Sequence, residues 1–291
     1  MLIKAYAKIN LHLDVASRAD NGYHEVRTVM QSVSLCDLVT VSLCEGNSIN
    51  LTCDASGLPT DSRNIAYRAA ELFFEHTGIV SGVAIDIAKR IPMAAGLAGG
   101  STDAAAVLYA LNVLCDKPLT DDELLMLGAR LGADVPFCIA CGTKYADGFG
   151  EKLHSFSKMP DCYFVVACAG EGVSTPWAYS ALDAKYRDFK GGAYTPHSIE
   201  PLSDAMQKGS VVGVSQNIYN IFEGVISPER PMVSEIKETL LDNGALSAMM
   251  SGSGPSVFGI FKSKELADAA SEVLSTKGIY GFVCEPIYER F

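Results

Sequence analysis

Apolar and polar residues alternate along the first fifty positions with the period of two that a strand with one buried face shows. In AYAKINLHLDV, residues 5–15, the odd positions are apolar and most even positions are polar or charged. The same kind of pattern continues in three further segments, VRTVMQSVSL, DLVTVSL and SINLTC. The N-terminal part is therefore predicted to form a mostly antiparallel, half-exposed sheet.

Helical spacing replaces this alternation further along the chain. NIAYRAAELFFEHTG is predicted to be a helix that ends at Gly78, and TDDELLMLGARLG a helix that begins with a capping box of Thr120 and Glu123. CYFVVACAG reads as a buried strand, residues 184–200 as a loop, and two late segments as amphipathic helices, SPERPMVSEIKETLLDNG and KSKELADAASEVLSTKG. We expect two domains, residues 1–157 and residues 158–291.

The stretch IPMAAGLAGGSTDAAAVLYALN, residues 91–112, combines three glycines with an apolar helical pattern. The strand-like SGVAIDIAKRIP precedes it, so the order is strand, glycine loop and a helix that begins near Ser101. Backbone amides in such a turn, together with the positive end of the helix, form a cradle for an anion. Ser101, Thr102 and Asp103 fit equally well as helix-capping residues with no ligand. The dinucleotide fingerprint and the P-loop are both absent from the chain.

Charge and cysteine content exclude several classes of protein. The formal net charge of −11 argues against general binding to nucleic acid or to an anionic membrane surface. The N-terminus lacks the pattern of a signal peptide, so we expect a cytoplasmic protein. Nine cysteines without regular spacing indicate reduced, packed thiols. The single CIAC segment lacks partner ligands at zinc spacing, and we expect no structural metal.

The glycine stretch resembles the phosphate-binding motif of the GHMP kinases, a superfamily that includes galactokinase, homoserine kinase and mevalonate kinase. Further segments resemble one branch of this family, in the same order along essentially the whole chain: AKINLHLDV, DNGYHEV, LGADVPF and MMSGSGPSVFGIF. The resemblance implies an α+β fold with a ribosomal protein S5 domain 2-like N-terminal domain and a ferredoxin-like C-terminal domain. The active site would lie in the cleft between them.

The activity that the resemblance implies is transfer of the ATP γ-phosphoryl group to the 2-hydroxyl of 4-(cytidine 5'-diphospho)-2-C-methyl-D-erythritol. This is a step of the non-mevalonate route to isoprenoids. Asp134 matches the catalytic aspartate, which accepts or orients the hydroxyl proton, and Lys8 matches the lysine beside it. From the residues alone, Asp134 fits a turn cap and Lys8 a solvated surface charge.

Five residues match positions that bind the cytidine-linked substrate. Asn10 lies on the same strand face as Lys8 and matches a contact near the reacting centre. Tyr23, His24 and Tyr179 match the residues around the cytosine ring, where aromatic stacking supplies affinity and His24 selects the base. Thr175 matches a position close to both nucleotide and substrate.

The residues expected to bind ATP are those of the glycine loop and two residues near the adenosine. They are Pro92, Met93, Ala94, Ala95, Gly96, Leu97, Ala98, Gly99, Gly100, Ser101 and Thr102, with Lys89 and Asn64. Gly252 and Gly254, in SGSGP, match a second glycine turn that shapes the phosphate pocket. Mg²⁺ is expected as a cofactor, with Ser101 or Thr102 as candidate ligands.

One residue departs from the pattern. Asp103 stands where the family often has asparagine, and a carboxylate there would repel phosphates unless it turns away, caps the helix or faces Mg²⁺.

Three other functions stay open at this point. A homoserine or mevalonate-type kinase would share the glycine loop but has no need of Tyr23, His24 and Tyr179. A non-catalytic regulator on the same fold is disfavoured because both Lys8 and Asp134 are present. An NAD-dependent oxidoreductase is disfavoured by the missing fingerprint. The expected partners are small molecules, with neither nucleic acid nor membrane, and both a monomer and a homodimer remain open.

Overall fold

The computed structural model describes residues 1–18, 22–186 and 194–290 of the chain. Within these ranges the backbone forms eleven strands and ten helices. None of the helices in the described part is long and apolar enough to cross a bilayer.

Strands and helices alternate irregularly along the chain. The strands are β1 (Leu2–Arg18), β2 (His24–Cys44), β3 (Ile49–Cys53), β4 (Gly82–Ala88), β5 (Thr143–Asp147), β6 (Lys152–Ser155), β7 (Tyr163–Cys168), β8 (Tyr219–Asn220), β9 (Ser247–Met250), β10 (Ser256–Phe261) and β11 (Gly281–Cys284). The helices are α1 (Ile65–Thr77), α2 (Gly99–Leu114), α3 (Asp121–Leu131), α4 (Val135–Ala140), α5 (Thr175–Lys185), α6 (Glu200–Gln207), α7 (Val211–Ser215), α8 (Glu223–Ile226), α9 (Pro231–Asp242) and α10 (Lys264–Thr276).

The strands belong to two sheets. A seven-stranded sheet has the order β3-β4-β2-β1-β8, with β5 paired to β2 and β6 paired to β5. A four-stranded antiparallel sheet has the order β11-β7-β10-β9. One apolar core lies between the large sheet and helices α1 to α4, a second joins the two sheets, and a third lies between the small sheet and helices α9 and α10. This mixed arrangement confirms the α+β class.

The long ribbon of β1 and β2 passes through two of these cores because its register shifts. Ile3 and Ala5 face the helices of the first core, whereas Ala7, Ile9 and Leu11 face the small sheet. The pairing of β1 with β2 shifts between Tyr6 and Lys8 and again between Asn10 and His12. Irregular pairing of this kind re-aims side chains, and it accompanies the burial of a polar row on the even positions from Lys8 to Asp14.

Several local predictions are confirmed. Gly78 adopts the left-handed conformation after α1, and Thr120 and Glu123 form the capping box of α3. The strand at 162–170 is β7 and the two late amphipathic helices are α9 and α10. Of the predicted loop at 184–200, residues 187–193 lie outside the described residues, Lys185 ends α5 and Glu200 begins α6.

Two predictions about elements were wrong in detail. The two strands VRTVMQSVSL and DLVTVSL are one continuous strand, β2. The predicted strands were divided at Cys36; next to it, the buried Asp37 carboxylate accepts hydrogen bonds from the backbone amides of Arg90 and Ile91 inside the continuous strand. Helix α2 begins at Gly99, two positions before the predicted start. The large sheet is mostly antiparallel, as predicted, and its two parallel pairs are β3 with β4 and β1 with β8.

The domain division at residues 157 and 158 remains a prediction. It falls between β6 and β7, which belong to different sheets. Strand β8 returns from the second half of the chain to pair with β1. Residues from both halves therefore build the large sheet.

Candidate active site

The glycine loop leads from β4 into helix α2 by an unusual backbone path. Ala94, Gly96 and Ala98 have positive φ angles of 51°, 79° and 58°. Non-glycine residues in this region carry strain and cluster at functional sites. Ala98 is the N-cap of α2 and makes no side-chain capping bond. The first amides of the helix are therefore free of intrahelical and capping partners, as an anion cradle requires.

The second glycine turn, SGSGP, docks against this loop. The Ser256 amide donates to the Ala95 carbonyl at 3.2 Å, and the Ser251 hydroxyl donates to the Gly96 carbonyl, also at 3.2 Å. A Cβ on Gly252 would lie 2.9 Å from the Gly96 carbonyl oxygen, so the contact requires glycine there. Asn220 holds the turn from behind by donating to the Met250 and Gly252 carbonyls. The two turns form one unit.

A buried ionic cluster supports the loop from below. The Lys89 ammonium donates to Asp103 at 2.7 Å and also to Asp37. It lies directly under the helix start, since a Cβ on Gly99 would be 3.3 Å from Lys89 Nζ. The Asp103 carboxylate pairs with Lys89 beneath the helix start, and Asp103 also lines the cavity in front of the loop. The ammonium of Lys89, expected near the adenosine, is already bonded within the protein.

The cluster holds two carboxylates and one ammonium, and these charges shift the pKa values of Lys89 and Asp103. Burial disfavours the charged Lys89, but Asp103 and Asp37 together raise the pKa of its ammonium. Burial, with a contribution from Asp37, raises the pKa of Asp103 even though Lys89 opposes this shift. Asp103 Oδ1 has no hydrogen-bond partner within the described part of the chain. The cluster carries one excess buried negative charge when fully ionised.

A first cavity of about 410 Å³ opens between the glycine loop and the start of α1. Eleven of the thirteen residues expected to bind ATP line it: Asn64, Lys89, Pro92, Met93, Ala94, Ala95, Gly96, Ala98, Gly99, Gly100 and Ser101. Leu97 and Thr102 point into the interior, and the Thr102 hydroxyl donates to the Tyr6 carbonyl. Asn64 caps α1 through the Ala66 amide. Ser101 is therefore the better placed of the two candidate Mg²⁺ ligands.

Lys8, Asn10 and Asp134 meet at the base of a second cavity of about 370 Å³. Lys8 Nζ lies 3.7 Å from Asp134 Oδ2 and donates to Asn10 Oδ1 at 2.7 Å. Lys8 is buried, unlike the surface charge that composition alone suggested. Asp134 occupies the N-cap position of α4 but makes no capping bond, so its carboxylate faces the cavity instead. The predicted pair is present.

Aromatic side chains form the other end of this second cavity. Tyr179 and Thr175, both from α5, line it, and Phe149 and Phe222 join them. Thr175 Oγ1 lies 3.1 Å from Ser253 Oγ in the second glycine turn. Burial, and secondarily the Asp134 carboxylate, raise the pKa of Tyr179 to about 12, so its hydroxyl is neutral at physiological pH.

Tyr23 and His24 are not among the residues that line the second cavity, but each packs on an aromatic side chain that does. The imidazole of His24 stacks on Tyr179 with the ring centroids 4.7 Å apart and the planes 26° from parallel. The exposed ring of Tyr23 packs against Phe149 at 5.6 Å. The structure thus brings together the three residues expected around cytosine, but it places the His24 ring directly on Tyr179.

Sequence reasoning missed several residues of the site. Phe149 stands in a glycine-rich passage, where nothing in the local pattern marks an aromatic wall. Thr28 accepts a hydrogen bond from Asn10 Nδ2 at 2.8 Å and donates to the His12 carbonyl. Its polar side chain is buried on β2, and only the pairing of the two strands would have identified its partner. Asp37, the second carboxylate on Lys89, lies in the predicted strand DLVTVSL, where nothing local marks it as a partner of Lys89.

The two cavities share one wall. Ala94, Gly96, Ala98 and Ser101 line both of them, so a ligand in either cavity contacts the same loop. Lys8 and Asp134 lie on the side of the second cavity. The arrangement can hold two ligands whose reacting ends meet at the glycine loop, beside an ammonium and a carboxylate.

Comparison with known proteins gives concordant results. Residues 64–142 match the GHMP kinases N terminal domain, and residues 199–279 match the GHMP kinases C terminal domain. A 4-diphosphocytidyl-2-C-methyl-D-erythritol kinase from Acetivibrio thermocellus is 44% identical over 285 residues, covering 98% of each chain. One from Clostridium botulinum strain Alaska E43 is 43% identical over 287 residues, covering 99% of this chain and all of the relative.

Solved structures agree. A crystal structure of 4-(cytidine 5'-diphospho)-2C-methyl-D-erythritol kinase superposes with a TM-score of 0.83 at 33% identity, covering 98% of this chain and 99% of the other. A homoserine kinase from Cytophaga hutchinsonii superposes with a TM-score of 0.73 at 22% identity, covering 99% and 95%, which shows the shared fold alone. This chain belongs to the 4-diphosphocytidyl-2-C-methyl-D-erythritol kinase family of the GHMP kinases.

Proposed function

We propose that the protein transfers the γ-phosphoryl group of ATP to the 2-hydroxyl of 4-(cytidine 5'-diphospho)-2-C-methyl-D-erythritol, giving the 2-phosphate and ADP. One observation carries the proposal: two cavities share the glycine loop, and the Lys8–Asp134 pair lines the second of them. ATP would occupy the first cavity and the cytidine-linked polyol the second.

Phosphoryl transfer through a loose transition state needs positioning and charge stabilisation more than covalent chemistry. The amides at the start of α2 would bind the phosphates, because they lack partners and lie at the positive end of the helix. The loop is stiffened by its contacts with the Ser251 hydroxyl and the Ser256 amide. Such preorganised donors stabilise the charge that develops on the transferred group.

Asp134 would orient the attacking hydroxyl and accept its proton. The carboxylate is free of capping bonds and partly open to the second cavity. Lys8 holds Asn10 and lies beside Asp134, so its ammonium can approach the transferred phosphoryl group. Thr28 and Ser251 hold Asn10 through its amide nitrogen and its backbone N–H respectively. The three groups are thereby fixed relative to one another.

Mg²⁺ is part of the proposal, since kinases use it to neutralise phosphate charge. The Ser101 side chain lines both cavities and is the one that fits Mg²⁺ as a ligand. Few protein ligands are needed because Mg²⁺ retains water.

The domain division at residues 157 and 158 and the cytoplasmic location belong to the same proposal.

The cytosine ring would bind in the second cavity against its aromatic lining residues, Tyr179, Phe149 and Phe222. His24 and Tyr23 pack on two of these rings and would recognise the base and cover it. A kinase for a small polyol or amino acid would gain nothing from such a wall.

The test is an ADP-release assay with three acceptors: the cytidine-linked methylerythritol, homoserine and mevalonate. We expect turnover with the cytidine-linked substrate alone, and phosphorus NMR should place the new phosphate on the 2-hydroxyl. Preferred turnover of homoserine or mevalonate would refute the proposal. Turnover of no acceptor by protein that binds ATP would favour a regulator instead.

A further inference from the structure

One carboxylate on helix α5 holds both strands of the β1–β2 ribbon beside the second cavity. Asp183 Oδ1 lies 2.7 Å from His24 Nε2, and Asp183 Oδ2 lies 3.0 Å from an Arg18 guanidinium nitrogen. Arg18 and His24 are register partners at the end of the ribbon. A single side chain from α5 therefore contacts both β1 and β2, at two residues that pair with each other across the ribbon.

Helix α5 presents two groups to His24. Tyr179 and Asp183 are four residues apart, so they lie on the same helix face. The imidazole stacks on the Tyr179 ring while its Nε2 points to the carboxylate. Because an ionised carboxylate only accepts hydrogen bonds, Nε2 must carry a hydrogen. The stacking sets the plane of the imidazole and the hydrogen bond sets its rotation.

Because it is largely buried, this contact is expected to contribute more to stability than a surface ion pair does. The His24 side chain is 6% exposed and Asp183 25%, whereas most surface pairs are fully solvated and contribute little. Tyr23 precedes His24 directly, and its ring packs on Phe149, which lines the cavity. A carboxylate that fixes His24 therefore also fixes the backbone that carries Tyr23.

We propose that Asp183 is a positioning residue for pyrimidine recognition: together with Arg18 it holds His24 and Tyr23 in the arrangement that receives the cytosine ring. The inference rests on the proposed function and adds to it a residue that sequence matching did not single out. Asp183 is not among the described residues that line the second cavity, so it acts through His24.

The first test compares steady-state kinetics of the wild type and Asp183→Asn. The amide keeps the size of the side chain but can accept from only one of its two partners. We expect the KM for the cytidine-linked substrate to rise about tenfold, with kcat within about twofold and the KM for ATP unchanged. Asp183→Glu, which keeps the charge, should recover part of the affinity. Asp268→Asn, which removes an exposed carboxylate paired with Lys264 on α10, is the matched control.

The second test measures binding of CDP and UDP by calorimetry, without catalysis. Wild-type protein should prefer CDP, and Asp183→Asn should lose that preference while its thermal unfolding and ATP affinity stay close to those of the control. An unchanged KM and an unchanged CDP preference in Asp183→Asn would overturn the inference. A fall in kcat with KM unchanged would also overturn it. A wild type that binds CDP through Asp183 but phosphorylates nothing would refute the proposed function and leave this inference standing.

Discussion

Gly96 and Ser251 are so close that a Cβ on residue 96 would lie 2.3 Å from the Ser251 carbonyl oxygen. Gly96 also has a φ of +79°, so alanine there would meet both a collision and a strained backbone. We expect Gly96→Ala to raise the KM for ATP about tenfold or more and to lower the melting temperature. Gly209→Ala is the control, because Gly209 has a φ of +62° with nothing within 4 Å. Equal effects of the two substitutions would show that the docking of the glycine turns is unimportant.

Asp134→Asn should abolish most of the activity without affecting nucleotide binding. The amide keeps the size of the side chain but cannot accept the hydroxyl proton. We expect kcat to fall strongly and the ATP affinity to change little, and a variant that keeps more than about a tenth of kcat would rule out the proton-acceptor role. Single-turnover kinetics and ATP titration measure the two quantities. Asp204→Asn, an exposed carboxylate on α6, is the control.

Tyr179→Ala should act mainly on the affinity for the cytidine-linked substrate. The ring lines the second cavity and stacks on His24, so its loss removes both an aromatic surface of the cavity and the contact that orients His24. Stacking of a base on an aromatic contributes about 1–3 kcal/mol, which predicts a rise in KM of at least about fivefold. Tyr179→Phe keeps the ring and should bind nearly as the wild type does. An unchanged KM in Tyr179→Ala would remove this residue from the base site.

The Lys89 cluster gives a prediction about stability. Lys89→Met leaves the buried carboxylates of Asp37 and Asp103 without a counter-ion, and breaking a buried pair in this way costs about 3–5 kcal/mol. Asp103→Asn leaves one carboxylate for one ammonium, so we expect a much smaller loss. Urea denaturation of both variants measures the difference. If Asp103→Asn is the more damaging change, the cluster needs both negative charges.

His12 makes stability depend on pH. It is fully buried, neither ring nitrogen has a hydrogen-bond partner within the described ranges, and burial, followed by the charges of His197 and Arg27, lowers its pKa to about 3. An unfolded histidine titrates near pH 6.5, so between these values the unfolded chain binds a proton that the folded chain does not. The free energy of unfolding should therefore fall by about 1.4 kcal/mol for each pH unit below about 6.

Urea denaturation between pH 7.5 and pH 4.5 tests this dependence. His12→Gln should lose less stability than the wild type over this range, because glutamine takes up no proton. His76→Gln, at an exposed position near the end of α1, should behave as the wild type does. Parallel curves for His12→Gln and the wild type would show that His12 does not control the acid sensitivity.

Local rules predicted local features of the fold. Gly78 and the Thr120–Glu123 box mark helix ends because their geometry involves only neighbouring residues. The same rules divided β2 into two strands at Cys36, and they could not show that the Asp37 carboxylate is bound by amides from residues more than fifty positions away. A buried polar residue inside a strand is explained only once its distant partner is known.

The candidate site likewise contains some features that local sequence predicts and others that depend on contacts between distant residues. The glycine loop was predictable because a backbone cradle needs glycines next to one another in sequence. Lys8 and Asp134 were identified through family resemblance, and their contact depends on how β1 packs beside α4. Phe149 and Asp183 had no local signal, because each acquires its role only when the aromatic wall is assembled. Thr102 kept a hydroxyl that the motif demands, yet it faces the Tyr6 carbonyl in the interior.

The parallel pairing of β1 with β8 has a consequence for the growing polypeptide. His12 and Leu13, near the start of the chain, pair with Tyr219 and Asn220. On the ribosome, β1 emerges about two hundred residues before β8, so that edge stays uncovered during their synthesis. During that time its backbone amides and carbonyls are open to other chains, so this edge is where a nascent or truncated chain would be most exposed to aggregation.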